Sequence, residues 1–462
     1  MAPRVPVVLR CAGCAAEVDP ADPYVQAPYR CPNAERARDV DHVLAWSPVA
    51  AGVAEWPTDT SVDPFVRYRT LQHSYWLHRA MGRTDADHVA LVQRLEQRIA
   101  SVAGTPFTIT PFDLADAASD ALGVPVWAKD ETGNVAGSHK ARHLMGLLLH
   151  LEIRRVPTSA RLAIASCGNA ALGAATLARA SRRPIDVFVP PTANPAVQER
   201  LRALGANVHH APRLATDPPG DPCLHRFHEA VRRGAVPFCC QGPENGLTID
   251  GGTTLGHELA DQLAIAGLAP ARLFIQVGGG ALATATTRGL LDAVALGRLD
   301  AMPAVHLVQS EGAAPLRRAW EAVAGRALAS LGRSAVSGDG DAAVAAALRA
   351  PDATEAVHEA RRWAVTHRSR VMWPWEEEPV SIATGILDDE TYDWQTAVSV
   401  MLATGGWPIV VDERALERAN AVSGSRADET GTAGLAGAVA LHAAGGLAPD
   451  QPVVCLITGI RR

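Results

Sequence analysis

One lysine and three turns carry the groups best suited to chemistry. Lys140 sits where "NVAGSHKARHLMGLLLHLE" passes from a Gly-Ser turn into an apolar helix. Ser138 is placed to cap that helix, and Leu144, Met145, Leu147, Leu148, Leu149 and Leu151 predict its burial. An amine held there can attack a carbonyl carbon and carry a proton. The first turn, "IASCGNAALG", sets Ser166, Cys167, Gly168 and Asn169 between a strand and a helix. Its free N–H groups and its hydroxyl form a cradle for a carboxylate. Asn169 can both donate and accept through its amide. The second, "FIQVGGGALATA", offers Gly278, Gly279, Gly280 and Ala281 ahead of a helix, so its backbone can approach an anion such as phosphate. The third, "CLITGI", closes the last strand with Thr458 and Gly459.

Each feature alone has an ordinary reading. A helix lysine is usually solvated, and a glycine triplet after a strand is often a tight turn. The triplet lacks the third glycine of G-x-G-x-x-G, and no Gly-Lys-Ser/Thr follows it. That weakens the competing reading, a nicotinamide-dependent oxidoreductase. Together the features fit pyridoxal phosphate. Its aldehyde needs a lysine for a Schiff base, its phosphate needs N–H donors at a helix start, and its ring oxygen and nitrogen need partners.

These groups need a frame of strands that end on one side. The chain supplies one: "RLAIAS", "IDVFVP", "ANVHHA", "RLFIQVG", "AVHLVQS", "WPIVVD" and "PVVCLIT" read as buried strands, and helices follow several of them. The alternation predicts an α/β fold of doubly wound parallel sheets, with ligands beyond the carboxyl ends of the strands. Residues 1–104 read as an irregular extension rich in Pro, Trp and Arg, ending in the amphipathic helix "DADHVALVQRLEQRIASVAG". Residues 105–139 and 239–462 are expected to form a larger cofactor-binding domain, and 140–238 a smaller α/β domain. The segment from Arg326 to Val357 is rich in Ala and Gly and shows little strand character.

Composition narrows the class. The 462 residues are 48% hydrophobic and 20% charged, with net charge −6. No long basic stripe invites nucleic acid. No apolar run reaches the roughly 20 residues that cross a bilayer, and "MAPRVPVVLRC" lacks the core of a secretory signal. A cytoplasmic protein is expected. The eight cysteines are scattered and suit a reducing compartment. Cys11, Cys14 and Cys31 form three quarters of a zinc ribbon. The repeat position of a fourth cysteine holds Ala34, and Asp39, Asp41 or His42 could complete a site. A degenerate, metal-free ribbon is the leading expectation.

"WAKDETGNVAGSHKARH" resembles the K-x-E-x-x-N-P-T-G-S-x-K-x-R block of the β-family, or fold-type II, of pyridoxal-phosphate enzymes. That family includes threonine synthase, serine/threonine dehydratase, cysteine synthase and the tryptophan synthase β-chain. The resemblance implies a tryptophan synthase β-like architecture and makes Lys140 the Schiff-base residue. "SCGNAALGAA" is similar to the S-x-G-N-x-A block, which implies that Ser166, Cys167 and Gly168, with Ser138, meet the substrate carboxylate and that Asn169 meets the ring hydroxyl. "VGGGALA" resembles the phosphate loop, implying Gly278, Gly279, Gly280 and Ala281, and "ITG" implies Thr458 at the ring nitrogen. The resemblance places Glu429–Thr432 near the ring and implies a homodimer acting on a small amino acid.

Departures bear on the substrate. His139 stands before the lysine, where many threonine synthases have Phe, and Ala141 stands where they often have Asp. Ala281 takes the last glycine position of the phosphate loop. A hydroxyl at the ring nitrogen holds less positive charge there than a carboxylate would. Loss of a leaving group at Cβ or Cγ is then favoured over transamination or racemisation. The expectation is a lyase or synthase of the threonine synthase or serine/threonine dehydratase type, with a non-catalytic binding protein of the same fold as a further alternative. Glu376, Glu377 and Glu378 read as a solvated rim on a loop pinned by tryptophans.

Overall fold

Short apolar runs bounded by turns become parallel strands in the computed structural model, which describes residues 5–25, 28–37, 39–333 and 340–461. An antiparallel sheet near the start joins β1 (Leu9–Cys11) to β2 (Glu17–Val18) and β3 (Leu44–Ala45). Next come β4 (Phe112–Leu114) and β5 (Val126–Asp130). A four-stranded sheet follows, built from β6 (Leu162–Ala165), β7 (Ile185–Val189), β8 (Asn207–His210) and β9 (Val236–Pro237). Its spatial order is β8-β7-β6-β9, all parallel. The chain then adds β10 (Arg272–Gln276), β11 (Ala304–Ser310), β12 (Pro408–Val411) and β13 (Val453–Ile457). With β4 and β5 these form a second sheet in the order β12-β11-β10-β13-β5-β4, parallel except for edge strand β4.

All seven strands expected from the sequence are present. The amphipathic helix spans Asp85–Ala103, closed by a Thr84–Asp87 capping box and by Gly104 in the left-handed region. The beginning of the chain is more ordered than expected. It holds the antiparallel sheet and the helix His73–Ala80 as well as the amphipathic helix. Its strands are only two or three residues long, too short to show a period of two in the sequence. The Ala- and Gly-rich segment is helical at Pro315–Ser330 and Asp341–Leu348, and residues 334–339 of it lie outside the described residues. No described helix is long and apolar enough to cross a membrane.

The lysine helix, Lys140–Ile153, runs through the apolar interior. Leu144, Met145, Leu147, Leu148, Leu149 and Leu151 are all buried. Each leucine contributes roughly 1.5–3 kcal/mol through that burial. The helix crosses Thr248–Ala266 at a glycine contact. A Cβ on Gly146 would stand 2.7 Å from the backbone of Gly251, so the two helices touch main chain to main chain.

Candidate cofactor site at the carboxyl ends of the strands

Four strands deliver the site. The segment after β5 leads to Lys140, the turn after β6 holds Ser166–Asn169, β10 runs into Gly278, and Thr458 follows β13 directly. Parallel register puts the ends of β5, β13 and β10 on one edge. β13 lies between β5 and β10, and Glu131 N–H donates to Ile457 O at 2.8 Å.

Lys140 is the first residue of its helix. His139, not Ser138, occupies the cap position and makes no side-chain cap bond. The reason lies in the preceding turn. Ala136 and Gly137 both have positive φ, and Ser138 is left extended one residue before the cap. Its Oγ still accepts from Lys140 N–H, at 3.4 Å. Gly137 O accepts from Ile460 N–H at 2.9 Å, which fastens the lysine turn to the segment that carries Thr458.

Beneath this turn lies a fully buried set of charges that sequence reasoning missed. Arg142 donates from Nε and both terminal nitrogens to Glu131 and Glu258, over 2.6–2.9 Å. Lys129 Nζ donates to Glu258 at 2.7 Å and to Thr110 O at 2.8 Å. The four charged side chains are wholly excluded from solvent. Two positive and two negative groups balance, so each is held by opposite charge instead of water. Burial opposes the charged form of Glu131, but Arg142 and Lys129 bring its pKa down to about 2. The K-x-R spacing of Lys140 and Arg142 places both in the first turn but names no partner for the arginine.

The other three turns converge on the lysine. Gly168 precedes the helix Asn169–Ser181, and its N–H donates to Ser166 Oγ at 3.4 Å. A Cβ on Gly459 would stand 3.1 Å from Asn169 Nδ2, so Asn169 reaches the residue after Thr458. Thr458 is buried, and its Oγ1 accepts from Gln276 Nε2 at 2.8 Å. Because the amide is the donor, the threonine hydroxyl keeps its own proton to give. Gln276 also donates to Gly431 O at 3.0 Å, and Thr458 N–H donates to the same oxygen at 3.1 Å. The start of the helix Glu429–Ala443 therefore packs beside Thr458. Gln276 was not among the expected residues. Its position, last in "RLFIQ" before the glycines, marks it in retrospect.

Gly280, with φ +96°, turns the chain into the helix Ala281–Ala295. The segment 386–393 covers this turn. Asp393 N–H donates to Gly279 O at 2.9 Å, and a Cβ on Gly279 would stand 2.8 Å from the Tyr392 ring. A Cβ on Gly278 would run into the Asp388 carboxyl group, and one on Gly279 would stand 3.4 Å from it. The cradle thus already holds one anionic group of this chain. Burial raises the Asp388 pKa to about 6, against the opposing pull of Lys140. Further along the same loop, Glu376, Glu377 and Glu378 are exposed, as expected. Arg318 lies between the Trp373 and Trp375 rings, 4.2 and 4.6 Å from their centres, and pairs with Glu376.

Several polar groups here lack partners. His139 is buried with neither ring nitrogen hydrogen-bonded, and burial together with the Lys140 charge holds its pKa well below the usual histidine value. Gln276 Oε1 is buried without a partner as well. Buried polar groups are rarely left so. An amine, a neutral imidazole, an anion cradle and a hydroxyl donor together suit a phosphorylated pyridine aldehyde, which would satisfy such groups.

Comparison with known proteins gives the same direction. The family described as pyridoxal-phosphate dependent enzyme matches residues 105–368. A serine dehydratase-like protein of Mus musculus is 31% identical over 196 residues, covering 41% of this chain and 55% of that protein. The chain therefore spans about half the length of this curated relative. The processed form of threonine deaminase isoform 2 from Solanum lycopersicum superposes with TM-score 0.54 at 18% identity, over 82% of this chain and 91% of that one. Maize serine racemase gives TM-score 0.54 at 16% identity, over 81% and 93%. At such identities the two structures speak for the fold alone.

Proposed function

We propose that this chain, which belongs to the family of pyridoxal-phosphate-dependent enzymes, is a lyase that removes ammonia from a small hydroxy-amino acid of the serine or threonine type. Pyridoxal phosphate, when bound, supplies an aldehyde that links to an amine and a ring that withdraws electrons from Cα.

The chain's own groups divide the remaining work. Lys140 is the amine that would hold the aldehyde, and as a free amine it would take the Cα proton. The turn Ser166–Gly168 would hold the substrate carboxylate through the Ser166 hydroxyl and the N–H of Cys167, since Ser166 N–H is spent on Phe188 O, and Asn169 would donate to the ring oxygen. Gly278–Ala281 would hold the phosphate and so fix the position of the ring. His139 stands beside Lys140 as a neutral imidazole that supplies hydrogen bonding without adding charge.

The single observation that carries the choice of reaction is the pair Gln276–Thr458. A hydroxyl held by an amide donates to the ring nitrogen without supplying the negative charge that would keep it protonated. That arrangement would favour loss of a hydroxyl from Cβ over reactions that need a protonated ring. The serine dehydratase-like relative supports the same reading.

The test is a substrate panel on purified protein carrying its cofactor: serine, threonine, O-phosphohomoserine and 2,3-diaminopropionate. Keto acid and ammonia in equal amounts from serine or threonine are expected. Inorganic phosphate released from O-phosphohomoserine, with neither hydroxy-amino acid turned over, would replace this reading with a threonine synthase-type reaction. Interconversion of L- and D-serine without ammonia would overturn it in favour of racemisation.

A further inference from the structure

The antiparallel sheet near the start of the chain gathers four side chains that the proposed reaction does not use. Cys11 ends β1, Cys14 lies in the turn to β2, Cys31 comes from the next loop, and His42 precedes β3. Their ligand atoms all lie within 4.8 Å of one another. Cys11 Sγ is 3.4 Å from His42 Nδ1, and Cys14 Sγ is 3.5 Å from Cys31 Sγ. Tetrahedral zinc, with Zn–S near 2.3 Å and Zn–N near 2.0 Å, sets its ligand atoms roughly 3.5–3.8 Å apart. We infer that Cys11, Cys14, Cys31 and His42 bind a structural zinc ion.

The surroundings are built for that ion. His42 Nε2 is 3.1 Å from Ala37 O, and a carbonyl can only accept, so Nε2 carries the proton. Nδ1 is left with its lone pair facing Cys11, the arrangement of a metal-bound histidine with its outer hydrogen bond. Asn33 donates from N–H to Cys31 Sγ at 3.4 Å and from Nδ2 to Cys14 Sγ at 3.5 Å. Donors aimed at two sulfurs suit thiolates. The other candidates for the fourth ligand are engaged elsewhere. Asp41 lies 3.6 Å from Arg368, and Asp39 accepts from Ser369 N–H at 2.7 Å. Cys11, Cys31 and His42 are buried, and all four ligands come from the protein. A closed set of this kind is a structural site, not a catalytic one. It replaces the expected degenerate ribbon: the missing fourth cysteine at Ala34 is supplied from a different segment, by a histidine.

The ion would brace the wall of the cofactor site. Leu44, two residues after His42, presses its carbonyl on Gly246, and Tyr29 O accepts from Gly246 N–H at 3.1 Å. The neighbouring Gly242 N–H donates to Asp393 at 3.3 Å, in the segment that covers the glycine turn. Arg368, close to Asp41, pairs with Glu390 of the same segment.

The experiment measures metal by mass spectrometry in full-length protein purified under reducing conditions without chelator. About one zinc per chain is expected, falling below roughly a tenth of that in Cys31→Ser and His42→Ala. If those variants do not fold, a mercurial thiol reagent added to the wild type gives the same information. Zinc should then leave in step with modification of the first thiols. Cobalt reconstitution should give the ligand-field bands of a tetrahedral site together with sulfur-to-cobalt charge transfer. Three outcomes overturn the inference: reduced protein that takes up neither metal, zinc content unchanged in both variants, or a Cys14–Cys31 disulfide in protein purified under these conditions.

Discussion

Two regions lie on opposite sides of Lys140 and treat their polar groups in opposite ways. Below it, Lys129, Glu131, Arg142 and Glu258 are wholly buried, and every charge meets its opposite. On the other side, His139 is buried without a partner and Asp388 sits beside the glycine turn with a raised pKa. An unsatisfied buried group costs about 1–3 kcal/mol. An open polar group beside the lysine is available to a ligand, and a paired one is not. The difference separates scaffold from site within one turn of one helix: Arg142 faces the paired region, while Lys140 and His139 face the unpaired one.

The largest effect should come from the boundary itself. Lys140→Ala is expected to abolish turnover, by more than about a thousandfold, and to remove the absorbance of lysine-bound cofactor. The fold should survive, because Lys140 is outside the buried quartet, and an unchanged far-ultraviolet circular dichroism spectrum would show that. Retained activity would move the base to another residue.

The paired region should respond in stability instead. Arg142→Met leaves Glu131 and Glu258 buried with a single remaining cation, Lys129, and should destabilise the fold by about 3–5 kcal/mol. Urea unfolding of the purified protein measures it. A loss below about 1 kcal/mol would mean that water or protonation replaces the arginine easily, and the region would not be a scaffold.

Thr458→Ala probes the unpaired side. It removes the hydroxyl that Gln276 orients and should lower kcat roughly tenfold, with KM for the amino acid little changed. A rise in KM with kcat intact would assign Thr458 to substrate binding.

Much of the frame is legible in the sequence. Strands such as "RLFIQVG" and "PVVCLIT" are continuous apolar runs bounded by turns, and parallel topology follows from the helices between them. The turns at Ser166, Gly278 and Thr458 were legible because their residue types are unusual after strands. The quartet was not, because its members are spread from Lys129 to Glu258 and a charged residue in a sequence reads as surface. His42 was one candidate among three, since sequence separation does not say which side chain a loop returns. Asp388 was hidden for the same reason. It lies in an acidic tract that suggests solvent, and only the packing of 386–393 over the glycines brings it into the cradle.

Asp388 also gives the smallest effect and the sharpest sign. Its pKa is about 6 in the folded chain, against an ordinary carboxyl value near 4, so the folded state favours its proton. A group of this kind costs the fold nothing below about pH 4. The cost grows between pH 4 and 6 and is complete above that. Two pKa units would amount to roughly 3 kcal/mol, but the carboxyl is only partly buried and solvent screening reduces this to about 1 kcal/mol. Asp388→Asn should therefore raise the melting temperature of the cofactor-free protein at pH 8 and leave it unchanged at pH 4. Cofactor affinity should follow the same pattern. Above pH 6 the ionised carboxylate beside Gly278 and Gly279 repels the phosphate, so the variant should bind about fivefold more tightly than wild type at pH 8, and no more tightly at pH 5. Because wild type and variant are compared at each pH, ionisation of the phosphate itself cancels. A variant that binds more tightly by the same factor at both pH values would show that Asp388 acts by its bulk and not its charge. The cradle would then have no resident anion to displace.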